Sequence, residues 1–103
     1  EVMMKFKINN GEKETITKFK NMRIPSIFKT DNTDRILFVE DVSLFIVNSL
    51  LKGKKISKTV YDETIADYER FINDTNVSDL DEYALEYFNV CIQVIEIMKK
   101  YYL

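Results

Sequence analysis

Histidine and tryptophan are absent from this chain of 103 residues, cysteine and proline occur once each, and glycine occurs twice. Without histidine the commonest general base and the commonest metal ligand are both missing. Ser-His and Cys-His nucleophilic pairs therefore cannot form within the chain. A single cysteine, Cys91, excludes an internal disulfide and a cysteine-based zinc cage. It also argues against the disulfide framework on which small secreted domains rely. Gly11 and Gly53 cannot make a glycine-rich phosphate cradle, and no P-loop or GxGxxG is present. No apolar run reaches the roughly 18 residues of a membrane span. The first residues carry no cleavable leader pattern, and Glu1 reads as a trimmed start. These absences lead us to expect a chain that is not an enzyme, holds no cofactor or metal, and works in a reducing cytoplasm away from membranes.

What remains is ordinary globular composition, 46% hydrophobic and 31% charged, which argues against disorder. The length suits one domain with one core, residues 1–103. The charge is unevenly placed. Residues 1–58 hold twelve Lys/Arg and seven Asp/Glu, a balance of +5, and residues 59–103 hold three and ten, a balance of −7. The halves either form a basic end and an acidic end, which could orient a partner or drive self-association, or pack together and neutralise each other.

Residues 3–8 alternate apolar and charged side chains, with Met4, Phe6 and Ile8 on one face and Lys5 and Lys7 on the other. Period two predicts a half-buried strand. Asn9, Asn10 and Gly11 follow, and Asn-Gly is a strong short hairpin signal. Residues 13–20 then read as a second strand, so a β-hairpin is expected over residues 1–20. Pro25 is expected to open a short helical turn at 26–29, and a polar cluster at 30–34 leads to a helix N-cap.

A helical part is expected over 34–103. Residues 34–51 are apolar nearly all round, including Ile36, Leu37, Phe38, Leu44, Phe45 and Leu50, which predicts a central buried helix. Gly53 suits its C-terminal cap. Ser57 or Thr59 should cap a second helix over about 58–73, with Tyr61, Ile65, Tyr68 and Ile72 as its apolar stripe. Ser78 and Asp81 resemble a capping box for a last helix over about 79–101. That helix carries two adjacent apolar stripes, Leu80, Ala84, Phe88, Cys91, Ile95, Met98 and Tyr102 beside Tyr83, Tyr87, Val90, Val94, Ile97 and Tyr101. Two neighbours must cover so wide a face, or one side is left for a partner. The expected fold is α+β: a hairpin packed on about three helices.

The acidic groups Asp62, Glu63, Asp67 and Asp79, Asp81, Glu82 read as a solvated helix face and as first-turn acids that complement the helix dipole. Lys5, Lys7, Lys18 and Lys20 would gather on one hairpin face, where phosphates could bind, yet that face lacks aromatics for base stacking and the sequence pI is near 5.2. Cys91 reads as inert packing. Tyr and Met favour interfaces, so the last helix is the expected contact surface, with Tyr83, Tyr87, Val94 and Tyr101 as the partner-binding residues.

The layout also resembles the small tail assembly chaperones of long-tailed phages or prophages of low-GC Gram-positive bacteria. The residues that carry this are Met4-Lys5-Phe6-Lys7-Ile8-Asn9-Asn10-Gly11 and Phe45-Ile46-Val47-Asn48-Ser49-Leu50-Leu51. The richness in Ile, Lys and Asn (12, 12 and 8) fits AT-rich coding. The resemblance implies a protein in the bacterial host cytoplasm that coats a hydrophobic coiled-coil partner, with no catalytic residues to carry over. The expected function is therefore a non-enzymatic protein-binding module with an apolar helical partner, and self-association is left open. The alternatives are a nucleic-acid-associated protein using the basic hairpin, and a small acidic inhibitor of a host enzyme acting through Asp62, Asp67 and Glu69.

Overall fold

The computed structural model describes residues 6–30 and 33–102, with side chains over 6–29 and 37–102. Every regular element among them is a helix. The expected hairpin is not there, and the fold is not α+β. The residues that suggested a turn instead start a helix, α1 (Asn10–Asn21). The Asn9 side chain accepts from the Glu12 backbone N–H at 2.8 Å, and the Glu12 carboxylate accepts from the Asn9 N–H at 3.0 Å. This reciprocal capping box satisfies two backbone donors that a helix start leaves open. Once the helix forms, Ile16 and Phe19 fall three residues apart on one face, and both are fully buried. Of the residues assigned to the first strand, Met3, Met4 and Lys5 lie outside the described residues. Phe6 donates one backbone hydrogen bond to Gly53, 3.1 Å long.

Pro25 opens α2 (Ile27–Thr30), with the Phe28 N–H bonded to the Pro25 carbonyl at 3.0 Å. The central apolar segment is helical throughout but changes pitch. It runs as α3 (Thr33–Asp41), a π turn (Val42–Ile46) and α4 (Val47–Leu51). Across the π turn the Val47 N–H reaches back to Val42 rather than to Ser43. The segment ends at Gly53, whose φ of +67° is the left-handed cap conformation. The Gly53 N–H bonds to Leu50 and the Lys54 N–H to Ser49, at 3.1 and 2.9 Å. A β-carbon on Gly53 would lie 2.2 Å from the Phe6 carbonyl oxygen, so this position tolerates no side chain as it stands.

Ser57 caps α5 (Lys58–Asp74) by accepting from the Val60 N–H at 3.3 Å. A short 3-10 turn (Val77–Asp79) follows, started by Asn76. Ser78 is therefore not the cap of the last helix, because its own N–H and hydroxyl both turn back to Asn76. Asp81 caps α6 (Glu82–Tyr102) through the Ala84 N–H at 2.8 Å.

Both apolar stripes of α6 are covered, and two neighbours cover them. On one side α1 packs Phe19 against Tyr87, with ring centroids 4.9 Å apart. Two ion pairs bracket that contact, Lys18–Glu86 at 3.0 Å and Lys100–Glu12 at 2.8 Å. The basic and acidic halves therefore meet along this seam. On the other side Phe88 meets Phe71 of α5 at 5.4 Å, and Phe71 meets Phe38 of α3 at 5.0 Å. Phe28 links the two sides, 5.4 Å from Phe71 and 5.8 Å from Tyr87. One aromatic chain thus ties five helices together. Such pairs contribute about 0.5–1.5 kcal/mol each beyond the area they bury.

Candidate partner-binding groove

The four side chains expected to bind a partner are not one surface. Tyr87 and Val94 have no exposed area and belong to the core. The Tyr87 hydroxyl is 3.2 Å from the Ser43 hydroxyl on the π turn, so this buried polar group is satisfied. Its phenol is pushed up from its ordinary value by burial. Tyr101 is half-buried, stacked on Phe6 at 4.5 Å, and its hydroxyl donates to Glu12. Only Tyr83 stays exposed, at 43%, and its hydroxyl donates to the Arg23 carbonyl at 2.6 Å. The wide apolar face of α6 is thus spent on its own domain. Cys91 is fully enclosed, and burial pushes its thiol up to about 12. A thiol so placed is unreactive.

The exposed apolar side chains lie elsewhere. Leu44 and Phe45, both on the π turn, are 61% and 67% exposed, and Leu37 one helix face earlier is 53% exposed. Leu37 and Leu44 are seven residues apart, so they share one helix face. The opposite face of the same segment carries Phe38, Val42, Ile46 and Leu50, all buried. Phe45 also lines a groove of about 390 Å³ between this segment and α5. Asp41, Phe45 and Ser49 form one wall, and Val60, Glu63 and Asp67 form the other. Lys55, Ile56 and Ser57, in the link between the two helices, close one end. Val60 is itself 42% exposed.

The groove is negative. Asp67 is held by Arg70 of its own helix. Asp41 has no ion-pair partner among the described residues, and its carboxyl is pushed up from its ordinary value by desolvation and by the neighbouring Asp67 and Glu40. The ammonium of Lys55 sits 5.6 Å over the Tyr102 ring. Among the described residues no group of three or more His, Cys, Asp or Glu side chains could hold a metal ion. None of their helices is long and apolar enough to cross a membrane.

The other charged candidates resolve into local pairs. Asp62 accepts from Lys58 at 2.7 Å, one turn earlier on α5. Asp81 caps α6, and Lys18 is tied to Glu86. With no hairpin, Lys7, Lys18 and Lys20 do not share a sheet face, and Lys5 lies outside the described residues. Sequence reasoning passed over Leu37, Leu44 and Phe45 because it treated the central segment as buried, and over Val60 because it lies off the apolar stripe of α5. A signal was present: the arc opposite the buried stripe holds Leu37, Leu44 and Phe45 among only a few polar residues. The equivalent arc of α6 is Glu82, Glu86, Asn89, Gln93, Glu96 and Lys100 throughout. In comparisons with known proteins, no family model, no curated protein sequence and no solved structure matches this chain.

Proposed function

We propose that this chain is a non-enzymatic protein-binding module, and that its contact surface is the π turn with the groove beside it rather than α6. The observation that carries this reading is the exposure of Leu44 and Phe45 side by side on a domain that buries eleven other phenylalanine and tyrosine rings wholly or in part. Covering one large apolar side chain contributes about 1.5–3 kcal/mol, so this small patch is enough to anchor a partner. A π turn is a common device at functional positions. Capture of an apolar helix is also the task that the resemblance to tail assembly chaperones implies. Of the two segments behind that resemblance, the first leads into α1 rather than a hairpin, and the second supplies Phe45 of the patch, at the end of the π turn, and α4.

The alternatives have less support. The basic face proposed for nucleic acid depended on a hairpin. For an acidic inhibitor acting through Asp62, Asp67 and Glu69, two of the three acids, Asp62 and Asp67, are each paired with a cation on their own helix.

Apolar capture is tested with the dye 8-anilinonaphthalene-1-sulfonate under native conditions. The wild-type chain should enhance its fluorescence, and Leu44→Ser/Phe45→Ser should abolish the enhancement without lowering the unfolding midpoint. Enhancement that survives the double substitution, or none at all in the wild type, would contradict the reading.

A further inference from the structure

Resting on that reading, we infer that the groove takes a cationic amphipathic helix of another protein, with an apolar side chain lodged between Phe45 and Val60 and Lys or Arg side chains facing Asp41 and Glu63. Charge selects this occupant. Three carboxylates and one ammonium line the groove. The ammonium is turned over the Tyr102 ring, and one carboxylate is held by Arg70. Asp41 and Glu63 are left without an ion pair among the described residues, and Asp41 stands beside two further acids. A partner that brought more acid would add repulsion here, and one that brought cations would relieve it.

Shape selects a helix. No sheet edge is offered among the described residues, so strand addition has nothing to extend. Two packed helices with a furrow between them accept a third helix along that furrow. The apolar residues continue from Phe45 to Leu37 along α3, about two helical turns or roughly 12 Å. A partner with apolar side chains at i and i+7 would meet both ends.

A second copy of this chain fits less well. Two copies joined face to face through this patch would set Asp41 and Glu63 against their own counterparts, because such a two-fold contact pairs each surface with itself. The like charges would then be desolvated together.

The test uses the full chain and three fluorescein-labelled 14-residue amphipathic helices, in which the apolar face is Leu and the polar face is Lys, Gln or Glu. Fluorescence anisotropy at moderate salt should rank them Lys tightest, then Gln, then Glu. Two partly exposed ion pairs should separate Lys from Gln by about tenfold. Phe45→Ser should weaken the Leu/Lys peptide by about ten- to a hundredfold. The isosteric pair Asp41→Asn/Glu63→Gln should erase most of the preference for Lys and leave the Leu/Gln peptide unaffected. Val60→Ser replaces Phe45→Ser should the latter fail to fold, as judged by its melting curve.

Equal binding of all three peptides would overturn the cationic partner and leave apolar capture standing. A preference for Lys that survives Asp41→Asn/Glu63→Gln would overturn the role of these acids. A concentration-dependent dimer that Phe45→Ser abolishes would make a second copy the occupant and overturn the inference. Absence of binding in every case would overturn it too, and the dye experiment would then decide whether the patch captures apolar groups at all.

Discussion

The central helical segment and α6 are the two most apolar stretches of the chain, yet they meet opposite fates. On α6, α1 and the π turn lie on the stripe of Tyr87 and α5 on the stripe of Phe88, and eight of its side chains are buried. The central segment buries a similar stripe but has no neighbour among the described residues over its outer face, where Leu37, Leu44 and Phe45 are exposed. Apolar content alone does not mark an interface. What marks one is apolar content on the arc that no neighbour reaches, and this depends on how many elements the fold can place around each helix.

That contrast predicts the largest difference in stability. Tyr87→Ala empties the aromatic junction between α1, α2 and α6 and should cost about 3–5 kcal/mol. Phe45→Ser should change stability by no more than about 0.5 kcal/mol, as a free surface residue does. Urea unfolding of both variants measures this, and comparable losses would remove the distinction between the two regions.

The next effect is at the end of the central segment. Gly53→Ala places a β-carbon against the Phe6 carbonyl and forces a left-handed φ on alanine, which should cost on the order of 2 kcal/mol or more. A loss well under 1 kcal/mol would show that the Phe6–Gly53 contact gives way freely.

Ser43 joins the two regions. Ser43→Ala leaves the buried Tyr87 hydroxyl without its partner and should cost about 1–3 kcal/mol. Tyr87→Phe removes the hydroxyl that needs a partner. In that background Ser43→Ala should cost markedly less, and a double-mutant cycle that came out additive would argue against the bond.

The smallest effects distinguish the two regions by the sign of their pH dependence. At Glu12, between α1 and α6, burial tends to raise the carboxyl, but hydrogen bonds from Lys100, Tyr101 and the Asn9 N–H hold it below its ordinary 4.5. Its contribution is therefore complete above that ordinary value and is lost as pH falls through the lower folded value. At Asp41 the carboxyl is raised above its ordinary 3.8 by desolvation, Asp67 and Glu40. This is a cost at neutral pH that is relieved as pH falls through the raised value. At pH 7 Glu12→Gln should destabilise and Asp41→Asn should slightly stabilise, as thermal melts would show. Shifts of the same sign would undo the contrast.

The sequence was legible where the chemistry is local and has one solution. Ser57 starts a helix, Gly53 ends one and Pro25 precedes a turn of helix, each as its residue type dictates. The two stripes of α6 were also legible, but whether two neighbours cover them or one side is left for a partner was not. The N-terminus misled because Asn9, Asn10 and Gly11 serve either a tight turn or a helix start. Glu12 decides for the helix by closing the capping box, and the burial of Ile16 and Phe19 in a helical register secures it. That register also supplies α1 as the second neighbour of α6. Tyr87 and Val94 thereby became core, and the surplus apolar surface moved to Leu44 and Phe45. No local signal fixes that outcome, because it follows from how the helices share a limited covering area.

The most direct test of where the free apolar surface lies is solvent relaxation of methyl and ring protons by a soluble gadolinium chelate. Strong broadening at Leu37, Leu44 and Phe45, with Val94 and Tyr87 unaffected, is the expected result. Broadening at Val94 or Tyr87, with the π turn protected, would contradict the account and return the contact surface to α6.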